Sequence, residues 1–186
     1  SPTHYVNVAR RLTKELREKG KHVIFADQFD NPANFHTHLE TAKEIQAELG
    51  RIDAFVMGAG TGGTLAGCSR VFSNARIYLA DPQGSALHAK VRHGVCYDTN
   101  QAEQRVRRHR YDTIADGIGL DRVTANFREA RIDDAIRVSD ADALVMAHYL
   151  LRFEGLFLGS SSALNCVAAL RAGAELRKGT DAPLTI

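Results

Sequence analysis

The chain has 186 residues, of which 44% are hydrophobic and 25% charged, and its formal net charge is +2. A balance this close to neutral lacks the electrostatic footprint of a nucleic-acid binder, and no apolar run approaches the roughly 20 residues a membrane-spanning helix needs. What remains is the composition of one α/β domain or a large piece of one.

In chain order, Tyr5 to Lys19 places Val8, Leu12 and Leu16 on one stripe and stops at Gly20, which predicts an amphipathic helix with a glycine terminus. His22 to Ala26 is an apolar run that predicts a strand, closed by the turn signal Asn31-Pro32. A second helix is expected from Thr37 to Leu49, ended by Gly50, and a second strand at Ala54-Phe55-Val56-Met57. A helix from Leu65 to Phe72 and a strand at Arg76-Ile77-Tyr78-Leu79-Ala80 follow. The order β-α-β-α-β with short apolar strands predicts an α/β fold with a mostly parallel sheet and helices on both faces, where ligands gather at the carboxyl ends of strands.

The most informative segment is Gly58-Ala59-Gly60-Thr61-Gly62-Gly63-Thr64, a glycine-dense turn from a strand into a helix. Backbone can approach an anion closely there, and the unsatisfied amides of a helix start favour negative charge. A Walker-type loop would need Lys before its terminal Ser or Thr, and Gly63 stands in that place. Two readings stay open. Gly58-x-Gly60-x-x-Gly63, with Asp81 at the end of the next strand, satisfies a dinucleotide fingerprint and would suit a NAD-binding oxidoreductase. Alternatively Gly60, Thr61, Gly62, Gly63 and Thr64 form a cup for the single phosphate of pyridoxal phosphate, with two hydroxyls as extra donors.

From His88 to Asp116 periodicity fades and charge rises, so a mixed insertion or mobile region is expected, including the basic run Arg105 to Arg110. Ser139, with Asp142 three residues on, predicts a helix start, and Leu144, Val145, His148 and Leu151 continue it to about Phe153. Leu156-Phe157-Leu158 predicts a short buried strand. Gly159-Ser160-Ser161-Ser162 then opens a helix from Ala163 to Lys178, a second polar helix start after a strand. The three cysteines, Cys68, Cys96 and Cys166, are scattered and odd in number, which predicts free thiols in a reducing intracellular compartment, cytoplasmic or organellar. His36-x-His38 has no acid or cysteine at ligand spacing, so no metal site is expected.

Five motifs, in this order and spacing, resemble the cysteine synthases and cystathionine β-synthases, pyridoxal-phosphate enzymes of the tryptophan-synthase β-like fold. They are Gln28-Phe29 with Asn31-Pro32-Ala33-Asn34, the Gly60 to Thr64 loop, Asp81-Pro82 with Gly84-Ser85, Asp116-Gly117-Ile118-Gly119, and Glu154-Gly155 leading to Gly159-Ser160-Ser161. The similarity covers nearly the whole chain and is nearest to a fungal-type branch, because the stretch between Asp81 and Gly117 is long and basic. It implies that Gly60, Thr61, Gly62, Gly63 and Thr64 hold the phosphate, that Ser161 faces the pyridine nitrogen, that Gly117 lies beside the cofactor, and that Gln28 helps to bind the substrate carboxylate. A neutral hydroxyl at the ring nitrogen moderates the electron sink and suits β-elimination and replacement. The implied reaction replaces the β-substituent of an activated serine such as O-acetylserine with sulfide to give cysteine, or with a thiol.

The chain also departs from that pattern. The family's short Ser/Lys motif, whose lysine forms the Schiff base, and the substrate-carboxylate loop after it have no counterpart here. The resemblance therefore implies an internal portion of a two-domain enzyme: residues 1–30 ending a smaller domain, residues 31–186 belonging to a larger cofactor domain that continues further, and the rest of the same enzyme, commonly a homodimer, completing the site. A non-catalytic, lysine-deficient relative is the other expectation. Ala163 stands where glycine is usual after the serines, and Ser160 where the family often has an apolar residue or glycine, so the hydroxyl register carries an ambiguity of one residue.

Overall fold

Three parallel strands set the framework of the computed structural model, which describes residues 4–98, 113–178 and 182–186. In chain order the elements are α1 (Tyr5–Glu18), α2 (Ala33–Leu49), β1 (Ala54–Gly58), α3 (Gly63–Val71), β2 (Arg76–Pro82), α4 (Leu87–His93), α5 (Ala125–Arg128), β3 (Asp134–Val138), α6 (Asp140–Phe153) and α7 (Ser160–Leu176). The sheet order is β1-β2-β3, with Gly58 beside Ala80 and Ala80 beside Ile136. The expected α/β class with a parallel sheet is present.

Central strand β2 is buried on both faces, as a parallel sheet requires. Its side chains alternate with the pleat. Ile77 and Leu79 pack with Ala42 of α2, Leu65, Cys68 and Phe72, while Tyr78 and Ala80 face the core that α7 fills with Leu164, Ala168 and Ala172. The edge of β1 is capped at its start, where the amides of Asp53 and Ala54 donate to the Thr185 carbonyl at 2.9 and 3.2 Å and the Thr185 amide donates to Asp53 Oδ2 at 3.0 Å. Among the described residues no helix is long and apolar enough to cross a membrane.

Several expectations need correction. Residues 22–26 form no strand. Arg17 Nε donates to the Val23 carbonyl at 2.9 Å and Asn31 Nδ2 to the Ala26 carbonyl at 2.8 Å, so side chains take carbonyls that a ladder would use, and Ile24 is 78% exposed. Leu156-Phe157-Leu158 is likewise neither a strand nor buried; Phe157 is 87% exposed, and the Leu156 amide instead donates back to the Leu150 carbonyl at the end of α6. The α1 stripe of Val8 and Leu12 faces outward, and Val6 is that helix's buried residue.

The region from His88 onward holds more order than expected, because α4 occupies 87–93 and ends at Gly94 with φ +75°. Strand β3 was not anticipated. Asp134 and Arg137 break its apolar pattern, and both are ion-paired, Asp134 with Arg92 at 3.3 Å and Arg137 with Asp98 at 2.7 Å. The basic run 105–110 lies outside the described residues.

Candidate functional site at the carboxyl edge of the sheet

β1 ends at Gly58, and the next residues turn into α3 through Gly62, whose φ of +86° is left-handed. A side chain at Gly62 would be strained by that φ and would also meet Phe127 of α5 at 2.7 Å, so glycine is required twice over. At Gly60 a Cβ would run into the carbonyl of Gly117. The loop is thus seated against two other segments, with 117–119 on one side and α5 on another. The Gly119 amide donates to the Ala59 carbonyl at 2.9 Å, and the Thr124 hydroxyl donates to the Thr61 carbonyl at 2.6 Å.

Both threonines of the loop are held by neighbouring side chains from α2. Thr61 Oγ1 accepts from Asn34 Nδ2 at 2.9 Å and from the Gly63 amide at 3.5 Å, which leaves its own O–H to donate elsewhere. Thr64 Oγ1 lies 3.1 Å from His38 Nε2. The first intrahelical bond of α3 runs from the Ala66 amide to the Gly62 carbonyl, so the amides of Gly63, Thr64 and Leu65 precede the helical ladder at the positive end of the helix. Amides at a helix start, the Thr61 hydroxyl, and the Thr64 hydroxyl where His38 Nε2 carries the proton, suit one phosphate monoester.

Gln28 and the loop share one side chain. Asn34 Nδ2 donates both to the Gln28 carbonyl at 3.0 Å and to Thr61, and the exposed Gln28 side chain sits at the rim. Next to it, Asp30 accepts from the Ala125 amide at 2.8 Å and from Arg10 at 3.0 Å. That amide, ahead of the arginine, holds the Asp30 carboxyl below its usual range. Gly117 meets the loop through its carbonyl. Gln28, Gly60 to Thr64 and Gly117 are therefore brought together.

Ser161 reaches the same end of the sheet by a different route. Helix α7 runs antiparallel to β1: Asn165 Oδ1 accepts from the Gly58 amide at 2.8 Å, and further along Ala172 packs with Ala54. Its first turn, with Ser160 and half-buried Ser161, consequently projects beyond Gly58 to the carboxyl edge. Ser160 is already engaged, donating to the Ile114 carbonyl at 2.6 Å. That leaves Ser161 as the better candidate for a ligand.

Other features recede. Asp81, the acid that a bound ribose would need, has no exposed surface; its Oδ2 accepts from the His88 amide at 2.7 Å, and burial pushes its carboxyl up to about 6. His38 is committed to Thr64, and His36 is exposed. Burial pushes the Cys68 thiol up to about 11, and all three cysteines are free. Among the lysines, Lys14 pairs with Glu18, Lys43 with Glu40, and Lys90 donates to the Gly94 carbonyl. Sequence reasoning singled out Asn34 within a motif and missed His38, Thr124 and Asn165 as supports. Their partners lie 26, 63 and 107 residues away, beyond any local signal.

A glycine turn with hydroxyl donors, placed with a second polar helix start at the carboxyl edge of a parallel sheet, defines an α/β protein built to hold a phosphate-bearing cofactor. The chain belongs to the pyridoxal-phosphate dependent enzyme family, whose model matches residues 3–184. It is 45% identical over 193 residues to cysteine synthase 2 of Neurospora crassa, an alignment covering 97% of this chain and 42% of that protein. Against cysteine synthase 2 of Schizosaccharomyces pombe the identity is 46% over 192 residues, covering 96% and 48%. A solved structure, the O-acetylserine dependent cystathionine β-synthase from Helicobacter pylori, matches with a TM-score of 0.73 at 28% identity, covering 96% of this chain and 55% of that one. The chain thus spans about half the length of the proteins it matches. The expected resemblance, including its fungal branch, is borne out.

Proposed function

We propose that this chain carries the phosphate cup and the ring-facing serine of a cysteine synthase, a pyridoxal-phosphate enzyme that replaces the β-substituent of an activated serine, O-acetylserine or a similar ester, with sulfide to give L-cysteine. The observation that carries the reading is the loop itself: Thr61 Oγ1 accepts from Asn34 and Thr64 Oγ1 is hydrogen-bonded to His38, beside the amides at the start of α3. Gly60, Thr61, Gly62, Gly63 and Thr64 would hold the phosphate, Gly117 would lie beside the ring, Ser161 would accept or share the proton at the pyridine nitrogen, and Gln28 would bind the substrate carboxylate. Bound there, pyridoxal phosphate supplies an electron sink for bond cleavage at the β-carbon of an amino acid. The chain's own residues orient the two ends of the cofactor and keep the ring nitrogen opposite a neutral hydroxyl.

The lysine that the chemistry requires comes, in this proposal, from the rest of the same enzyme, working as a homodimer. Residues 1–30 close a smaller domain and residues 31–186 form most of the cofactor domain. The three free thiols fit a reducing intracellular compartment.

Thr61→Val and Thr64→Val should each weaken pyridoxal phosphate binding by about 1.5–3 kcal/mol, the worth of a hydrogen bond to a charged group, measured by titration of the cofactor absorbance. Unchanged affinity in both would sink the cup assignment. A second reading, cystathionine formation, is favoured by the Helicobacter pylori neighbour. Turnover with sulfide against homocysteine as the nucleophile separates the two acceptors.

A further inference from the structure

The phosphate loop has supports outside itself, and their effect follows from peptide geometry. The described chain contains no cis peptide bonds. In a trans peptide the carbonyl and the next amide point in opposite directions from one rigid plane. Pinning a carbonyl therefore aims the following N–H.

Two planes of the loop are pinned in this way from one neighbouring segment. The Ala59 carbonyl accepts from the Gly119 amide at 2.9 Å, which turns the Gly60 N–H away from residues 117–119. The Thr61 carbonyl accepts from Thr124 Oγ1 at 2.6 Å, which turns the Gly62 N–H away from Thr124. Only the second support is a side chain. Thr124 has no exposed surface, and the single O–H donor of its hydroxyl is spent on Thr61, while its oxygen accepts from the Phe127 amide at 3.0 Å as the cap of α5.

Gly62 most needs such a support. Its φ of +86° belongs to the most permissive residue type, and free rotation of the 61–62 plane would scatter the amide direction. With the plane fixed, the Gly62 N–H is preset before any ligand arrives, and the ordering cost falls outside the binding step.

We infer that Thr124 is a positioning residue for phosphate recognition: its hydroxyl fixes the 61–62 peptide plane and thereby aims the Gly62 amide at the cofactor phosphate without touching the cofactor. The inference rests on the cup reading above, and its test must tell the two apart.

The experiment compares pyridoxal phosphate with pyridoxal, which has the ring but no phosphate, in binding titrations on the parent protein, Thr124→Val and Thr124→Ser. Valine keeps the shape and removes the hydroxyl, whereas serine keeps the hydroxyl. The expected result is about a tenfold loss of pyridoxal phosphate affinity in Thr124→Val, the scale of one hydrogen bond, with pyridoxal affinity held and the loss recovered in Thr124→Ser. The phosphorus resonance of the bound cofactor should shift in Thr124→Val and return in Thr124→Ser.

Equal losses for pyridoxal phosphate and pyridoxal would show a merely structural role and overturn the inference, as would unchanged binding of both. Where Thr124→Val does not fold, Thr124→Cys, with a weaker donor in a similar space, is read in the same way. Failure of the cup reading has a different signature: in that case Thr61→Val and Thr64→Val leave pyridoxal phosphate affinity at the parent value, and the inference about Thr124 falls with it.

Discussion

The phosphate loop and the outer face of α6 and α7 treat their side chains in opposite ways. At the loop, Asn34 and His38 of α2, Thr124 at the start of α5 and Asn165 of α7 converge from three separate segments, and a Cβ at Gly60 or Gly62 has nowhere to go. Between α6 and α7 lies an apolar groove of 1170 Å³ lined by Val145, Tyr149, Leu156 and Leu170 among others, and just past it Phe153 is 72% and Phe157 87% exposed. The lesson is that a residue's contribution follows its surroundings rather than its hydrophobicity. Phe157 has more apolar surface than Thr124, yet Thr124 organises more of the molecule.

Mutation can break this contrast most sharply at the glycines. Gly62→Val combines a left-handed φ with a collision against Phe127, and should cost about 4 kcal/mol in urea unfolding as strain and overpacking add. By contrast, Gly159→Ala, at φ −72° with nothing within 4 Å, should stay within about 0.5 kcal/mol. Comparable losses at the two sites would refute the contrast. Next in size are the apolar side chains. Leu79→Ala in central β2 should cost about 3 kcal/mol through cavity formation, whereas Phe157→Ala on the outer face should change the unfolding midpoint by less than about 0.5 kcal/mol in equivalent free energy.

A smaller effect is expected from Asp81, where the sign is set by burial. Its folded value of about 6 lies above the usual 3.8, so the folded state holds the proton more tightly. Stability from this group is fully present below the usual value and falls as pH rises from about 4 to about 6. Asp81→Asn keeps an acceptor for the His88 amide and removes the titration, so the variant should gain on the parent between pH 4.5 and pH 7 in paired unfolding curves. A gap that stays constant with pH would argue against a carboxyl perturbed by burial.

Much of this fold was legible in short windows, because glycine turns and helix caps act locally. Gly50, with φ +71°, ends α2 where expected, and Ser139 caps α6 by accepting from the Asp142 amide. Strands were harder, since an apolar run does not say whether a neighbouring strand exists. Residues 22–26 and 156–158 have apolar runs without a ladder, whereas β3 has a ladder but charged residues at two of five positions. At the site, the loop, Gln28 and Gly117 were identified from motifs, and the structure gathers them at one edge of the sheet. The supports could not be read in this way. No spacing rule links Thr124 to Thr61, because their contact exists only after α5 has docked on α3.

The cap on β1 bears on the order in which the chain can assemble. β1, α3 and β2 lie within 29 consecutive residues, 54 to 82, and can form early from near-neighbour contacts. The carbonyl that covers the start of β1 belongs to Thr185, at a sequence separation of 132 from Asp53. On a ribosome that end of β1 stays uncovered until Thr185 has emerged, and an uncovered strand edge is where a nascent sheet is open to wrong pairing.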